Sequence, residues 1–336
     1  MILKEFRQMT RDHRNLALMV GLPLMLLVIF GYAARFDVSS VDTVVVGAES
    51  AGVVGELPDI FEVEDVTPDG GRAHAEAALV DGGASVAFVA EGGQLSMLVD
   101  GTELSSSQSA LRRLPPGTQP EILFNPDLDT ATVMVPSLIG LILLFVGTIV
   151  TSLGVVRERE QGTMEQLAVM PLRPLDITVG KVAPYFLVGV ADMVVITLAG
   201  LWIFDVPFEG SVVVFGVFGF VFLLVVLGLG VAISTVSQSQ GEAVQLAILA
   251  LLPQIMLSGM IFPLESMAAG VRWIGYLLPL TWFIEATRAI FLKGSGLGDL
   301  LIPLAVLTFM ATAVFGVAMA RFRSELAPKQ AAGAAS

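Results

Sequence analysis

Cysteine is absent from this 336-residue chain, which excludes a disulfide framework and a thiolate metal site. Histidine is nearly absent: only His13 and His74 occur. They fall in segments assigned below to opposite sides of a membrane, so no histidine metal centre is expected within one chain. Charge is scarce too, at 15% of residues against 55% hydrophobic. A soluble globule of this length has no need for so much apolar surface, and the composition reads as an integral membrane protein. Nucleotide-binding and hydrolytic signatures are missing as well. The one Gly-Lys pair, Gly180-Lys181, is followed by Val182, and Leu175 stands where a GxxxxGK[ST] loop needs its first glycine. There is no G-x-S-x-G, H-E-x-x-H or S-x-x-K pattern. Such a chain is neither an ATPase by itself nor a recognisable hydrolase.

What is present is apolar sequence in long runs. A helix of roughly 20 mainly apolar residues crosses the ~30 Å hydrocarbon layer with its backbone groups satisfied internally. Six such runs are expected, at about 15–34, 131–154, 182–204, 212–234, 243–263 and 300–320. Lys4, Arg7, Arg11 and Arg14 precede the first, whose apolar region is longer than a typical signal-peptide core, so it reads as an uncleaved anchor. The formal net charge of −13 is localised. Residues 36–130 hold 17 acidic residues against Arg72, Arg112 and Arg113, a local net of −14, and the remainder is close to neutral. Lys and Arg bias predicts topology. One side collects Lys4, Arg7, Arg11, Arg14, Arg157, Arg159, Arg173, Lys181, Arg321, Arg323 and Lys329, 11 of the 18 basic residues. The expectation is therefore cytoplasmic termini and an extracytoplasmic segment 36–130.

Within 36–130 the pattern predicts strands at 43–47, 61–66, 85–90 and 94–99, and helices near 71–82 and 104–114 with a weaker one near 49–57. The fold class is thus an α-helical polytopic membrane protein of six transmembrane helices with an inserted small α/β extracytoplasmic domain. Its acidity reads first as a solvated face that keeps the domain soluble, cation binding being the rival. Residues 1–14 place Ile2, Leu3, Phe6 and Met9 on one helical stripe, which suits an amphipathic interfacial helix, or else a frayed tail carrying positive-inside charge. Residues 321–336 form the expected cytoplasmic tail, whose end PKQAAGAAS (328–336) has no readable function.

Between the second and third runs lies VVREREQGTMEQLAVMPLRPLDITVGK, residues 155–181. Gly162 breaks the charged extension of the second span, Thr163 and Gln166 form a T-x-x-Q capping box, and Pro171 stops the new helix. Pro174 and Asp176 then offer a second helix start into the third span. A short stiff helix held at both ends by spans can pass a rigid push to two spans at once; an ordinary interfacial loop obeying the charge rule is the rival reading.

The pattern R-E-R-E-x-G-T-M-E-Q-L-x-x-x-P from Arg157 to Pro171 resembles the coupling loop of ABC transporter permeases of the type-two exporter class. Leu257 to Gly294 is similar to that family's last external segment, and residues 11–33 resemble the first span of its subgroup with a large external domain between spans one and two. The resemblance implies that Glu158, Gly162, Thr163, Glu165, Gln166, Leu167 and Pro171 belong to the element contacting an ATPase. It further implies a permease dimer (homodimer or close heterodimer), two ATPase subunits carrying ATP and Mg while this chain binds no cofactor, and a prokaryotic inner or plasma membrane. Lipid surrounds such a protein, and no nucleic-acid partner is expected.

Polar residues at membrane depth form the last group. From Pro263 to Lys293 the chain carries Glu265, Pro279, Glu285 and Arg288 among apolar residues, so a re-entrant hairpin of two short helices over 264–293 is expected. Glu285 and Arg288, three apart, can pair on one face. By the resemblance this is an external gate; a stapled hairpin without cargo contact is the alternative. Asp192 lies mid-span, a candidate pathway residue or a hydrogen-bonded helix contact. Paired small residues Gly216/Gly219 and Gly228/Gly230/Ala232 suggest close helix packing. The functional expectation is the permease subunit of an ATP-driven exporter of drugs, lipids or other amphipathic cargo. The rival is a non-transporting envelope protein acting through its external domain.

Overall fold

The computed structural model describes residues 40–161 and 174–326. The candidate first span, the interfacial helix and the segment 162–173 lie outside the described residues. The polar segment folds as a five-stranded sheet with helices on both faces. Its elements in chain order are β1 (Val41–Val46), α1 (Ser50–Val54), β2 (Phe61–Thr67), α2 (Arg72–Val80), β3 (Val86–Glu91), β4 (Gln94–Asp100), α3 (Leu104–Arg112) and β5 (Thr118–Leu123). The strand order is β2-β1-β3-β4-β5. The β1–β2, β1–β3 and β4–β5 pairs are parallel, and β3–β4 is an antiparallel hairpin with Val86 opposite Val99.

Both faces of this sheet are covered, which is why β1 and β3 read as unbroken apolar runs rather than alternating ones. Val41, Val45, Val86, Phe88, Met97 and Val99 build one core layer with Ala110 of α3. The alternate residues Val44, Val46, Ala87, Val89 and Leu98 build the other with Ala75 and Leu79 of α2. The β3–β4 turn consists of Gly92 and Gly93, at φ 62° and 74°, the two left-handed positions that a two-residue hairpin turn requires. Strand β5 is not expected from the residue pattern. Its sequence TQPEIL lacks alternation and contains Pro120, which a sheet admits because β5 is an edge strand.

Beyond β5 the chain enters the helical part: α4 (Thr130–Glu160), α5 (Pro174–Ile203), α6 (Val212–Val236), α7 (Gln240–Leu257), a 3-10 turn at Leu264–Ser266, α8 (Ala269–Tyr276), α9 (Pro279–Lys293) and α10 (Leu301–Leu326). Among the described residues four helices, α4, α5, α6 and α7, are long and apolar enough to cross a membrane, and α10 carries a further apolar stretch, Leu301–Val317. The fifth expected run, 243–263, differs at its end. The helix stops at Leu257 and the chain turns through Gly259 at φ 80°, so its last six residues belong to the connection.

Helix α4 packs along α6, and α6 in turn along α10. Glycine makes these approaches close. A Cβ on Gly230 would stand 2.7 Å from Thr151 Cβ, one on Gly228 2.9 Å from Val314, and one on Gly219 against the Met193 sulfur. Lipid tails are as apolar as these side chains, so tight van der Waals contact rather than water exclusion holds the spans together. Gly216 differs from its neighbours: a Cβ there meets open space.

Candidate functional site: the two ends of the spans

Two polar assemblies flank the apolar layer, one at each end of the spans. On the side of the α/β domain, α8 and α9 form the pair of short helices expected of residues 264–293. Pro263 precedes the 3-10 turn, the backbone of Glu265 lies within that turn, and Pro279 is the first residue of α9. The break at Leu277-Leu278 is set by Pro279, because the residue before a proline is pushed away from helical geometry. Helix α9 is anchored by packing and hydrogen bonds to its neighbours. Phe283 stacks on Phe222 of α6 with centroids 4.1 Å apart, and Phe291 meets Phe208 and Phe215 edge to face. Gln254 Oε1 of α7, itself buried, accepts from the Leu280 N–H at 3.3 Å; this satisfies one of the N-terminal donors a helix leaves open. The Glu209 N–H donates to the Phe291 carbonyl at 2.9 Å.

Of the hairpin's charged pair, Glu285 is exposed and Arg288 is half-buried. Arg288 Nε donates to Ser137 Oγ of α4 at 2.9 Å, so its guanidinium reaches across to the start of the neighbouring span. Lys293, the last residue of α9, goes further. Its Nζ lies 2.6 Å from Asp100 Oδ2 at the end of β4, with the two side chains 8% and 1% exposed. It also donates to the Leu79 carbonyl at 2.7 Å and stands 5.6 Å over the Phe124 ring. Arg272 of α8 acts on the domain as well: burial raises the Asp42 pKa, Glu62 adds to the rise, and Arg272 partly offsets it.

At the opposite end, the last turn of α4 carries Glu158, Arg159 and Glu160 immediately before the expected coupling element. Glu158 is half-buried there. Gly162, Thr163, Glu165, Gln166, Leu167 and Pro171 lie outside the described residues. The neighbouring residues are informative. Arg159 Nη1 donates to the Ser237 carbonyl at 3.0 Å, and Glu160 receives Gln240 twice, from the backbone N–H at 3.1 Å and from Nε2 at 2.6 Å. The turn between α6 and α7 is itself stiffened: Ser239 Oγ caps the Glu242 N–H at 3.3 Å, and Glu242 Oε2 accepts from the Gln238 N–H at 2.6 Å, a reciprocal cap. The end of α4 is thus tied to α6 and α7 as well as leading into α5.

Asp192 sits partly buried midway along α5, next to Met193, which packs on Gly219 of α6. The outer face of α5 is a strongly exposed apolar surface, with Leu187, Val195 and Trp202 at 69%, 65% and 82%. Lipid or a second subunit has to cover it.

Sequence reading places Lys293 on the same side as the acidic segment without giving it a partner, and does not single out Gln240 or Gln254. The signal for Lys293 is charge complementarity, one cation on the rim of a segment with net charge −14. For Gln240 it is the S-x-x-E pattern of Ser239 to Glu242, which marks a capped helix start.

Comparison with known proteins identifies the family. Residues 14–320 match the model of a family described as ABC-2 family transporter protein. The chain is 27% identical over 338 aligned positions to the probable multidrug ABC transporter permease YbhS of Escherichia coli, covering 87% of this chain and 88% of that one. It is 33% identical over 236 positions to the probable multidrug ABC transporter permease YbhR, 64% of each chain, and 32% identical over 210 positions to the inner membrane transport permease YhhJ, 60% of this chain and 54% of that one, both from the same organism. A helical membrane chain with a small α/β region, matched to this family model over 14–320, belongs to the ABC-2 family of transporter proteins as a permease subunit of an ABC exporter.

Proposed function

We propose that two copies of this permease enclose the export pathway and that two separate ATPase subunits, carrying ATP and Mg, drive it through the segment between α4 and α5. Its cargo is amphipathic, drugs or lipids; the multidrug naming of the relatives that match most of the chain supports this class. Six spans are used, with 15–34 and 300–320 as the outer two. The termini face the cytoplasm and the α/β domain faces outward, as the distribution of the basic residues favours.

The observation that carries the mechanism is the clasp of Arg159 and Glu160 on Ser237 and Gln240. A push on Gly162, Thr163, Glu165, Gln166, Leu167 and Pro171, just beyond that clasp, reaches α4 and α5 through the chain and α6 and α7 through the hydrogen bonds. At the far end, Pro263, Glu265, Pro279, Glu285 and Arg288 belong to the outer gate, and Asp192 lies on the pathway between. An envelope protein acting only through the α/β domain has no use for such a clasp, and relatives named as permeases favour the transporter.

The test is co-expression with a candidate ABC ATPase from the same genome, purification in nanodiscs, and ATPase assay. The ATPase is expected to co-purify in equal stoichiometry. Replacing Glu165 and Leu167 is expected to abolish its stimulation, and Gln240→Ala to weaken it. Absence of any ATPase from the purified complex, or full stimulation in the Glu165/Leu167 variant, refutes the coupling reading.

A further inference from the structure

Among the described residues, Asp100 is the one acidic side chain that is fully buried, and its partner Lys293 comes from a different structural unit. A carboxylate with that little exposure is held only by a matched cation and filled hydrogen-bonding sites. The cation is present, and hydrogen bonds fill one of the two carboxylate oxygens, Oδ2 making the ion pair alone. Asp100 Oδ1 accepts from the Thr102 N–H at 2.9 Å and from its hydroxyl at 2.6 Å, leaving Oδ2 for Lys293. The Leu79 carbonyl that accepts from Lys293 Nζ lies in the last turn of α2, where helix carbonyls carry partial negative charge.

The polar chain continues past Lys293 and Asp100. Gly101, beside Asp100, gives its carbonyl to Asn125 Nδ2 at 3.1 Å; the same amide donates to the Asp129 carbonyl at 3.1 Å and accepts from the Asp129 N–H at 3.0 Å. Asp129 Oδ2 then caps α4 through the Thr132 N–H at 3.3 Å. In this linker, Phe124 and Leu128 adopt φ of 67° and 49°, a backbone region that such residues hold only where their surroundings enforce it. An unbroken polar connection therefore runs from the end of α9, through the α/β domain, to the first turn of α4.

We propose that Lys293 and Asp100 are positioning residues of the transport cycle. They bolt the α/β domain to the hairpin helix α9 and, through Asn125 and Asp129, to the domain-side end of α4, so that the domain moves with the hairpin as one body. Burying an ion pair stabilises little more than an apolar pair of the same volume; what the pair adds is a fixed direction and register between two units. The acidic domain is then a working part of the outer gate and not an appended soluble cap. This rests on the proposed exporter cycle for its consequence, while the bolt itself is testable in the chain alone.

The absence of cysteine makes a distance measurement clean. Gly52 in α1 and Gly270 in α8 have open space at the Cβ position, so Gly52→Cys and Gly270→Cys accept spin labels in the full-length chain. Electron–electron distance distributions are recorded on doubly labelled chains diluted with unlabelled parent copies, in nanodiscs with the ATPase, nucleotide-free and trapped with ATP and vanadate. The expected result is one narrow peak at the same distance in both states, its width at least doubled by Lys293→Met and restored by Lys293→Arg. Asp100→Asn with Lys293→Met, which leaves no lone buried charge, is expected to stay folded and equally broad. A peak in the Lys293→Met and double variants as narrow as in the parent overturns the proposal, as does a parent distance that shifts between the two states. Loss of the ATPase from the sample defeats the coupling reading instead, and the nucleotide-free widths still decide the bolt.

Discussion

Substituting Gly230 with alanine tests how the spans are held. The added Cβ would stand 2.7 Å from Thr151 Cβ and 3.0 Å from the Thr148 carbonyl oxygen. Both belong to the α4 backbone or its first side-chain atom, so no rotamer change relieves the clash. Carbon atoms prefer about 3.5–4.0 Å, so α4 and α6 must part by roughly 1 Å or more. Overpacking of this kind, which loosens the whole crossing, costs about 1–3 kcal/mol. Alanine is the better helix former by about 0.5–1 kcal/mol, which offsets part of it. Gly216 on the same helix supplies the control, because a Cβ there touches nothing; Gly216→Ala keeps the propensity gain and avoids the clash. Heat-induced loss of the monodisperse peak in size-exclusion chromatography, in one detergent, measures both. Gly230→Ala is expected to unfold at lower temperature than the parent, and Gly216→Ala at the same or slightly higher temperature. Equal behaviour of the two variants would refute close α4–α6 packing through glycine.

The α/β domain offers a pH test. Arg72 holds the Glu121 carboxyl below its ordinary value of 4.5 through a bidentate pair at 2.6 and 2.7 Å. A depressed carboxylate contributes stability that is present above its unfolded value and lost as pH falls through the folded one. The pair is half exposed, so the contribution is at most about 1 kcal/mol. Hydrogen-exchange protection of β4 and β5, corrected for intrinsic rates, is expected to drop slightly below pH 4.5, and Arg72→Met to remove the drop; an unchanged drop in the variant counts against the pair. For Asp192, replacement by Asn is expected to reduce ATP-driven efflux in a screen of amphipathic dyes. Efflux identical to the parent for every dye removes Asp192 from the pathway.

Some of the architecture is legible in the sequence because it is local. Each span must satisfy its own backbone in lipid, so length and apolarity suffice to find α4, α5 and α6. Strands β3 and β4 are readable from dense β-branched and apolar residues and the Gly-Gly turn between them. The start of α5 at Pro174 agrees with its proline signal. Strand β5 is not readable, since Pro120 argues against a strand unless the strand is known to be an edge. The proposed coupling residues 162–171 lie outside the described residues, and their assignment comes from the resemblance.

What the sequence determined by itself is the class of protein: spans, their basic bias, a separate acidic segment and a motif pattern of permeases are properties of short stretches. The tertiary structure alone decided which charges meet. Lys293 and Asp100 are 193 positions apart, Arg159 and Ser237 78 apart. Many carboxylates and carbonyls satisfy the same composition, and only the packing of α9 against the domain, or of α4 against α6, selects one. Short-range physics fixes an element's type, whereas pairing between elements depends on register across the whole fold, and register is written in no single stretch of the chain.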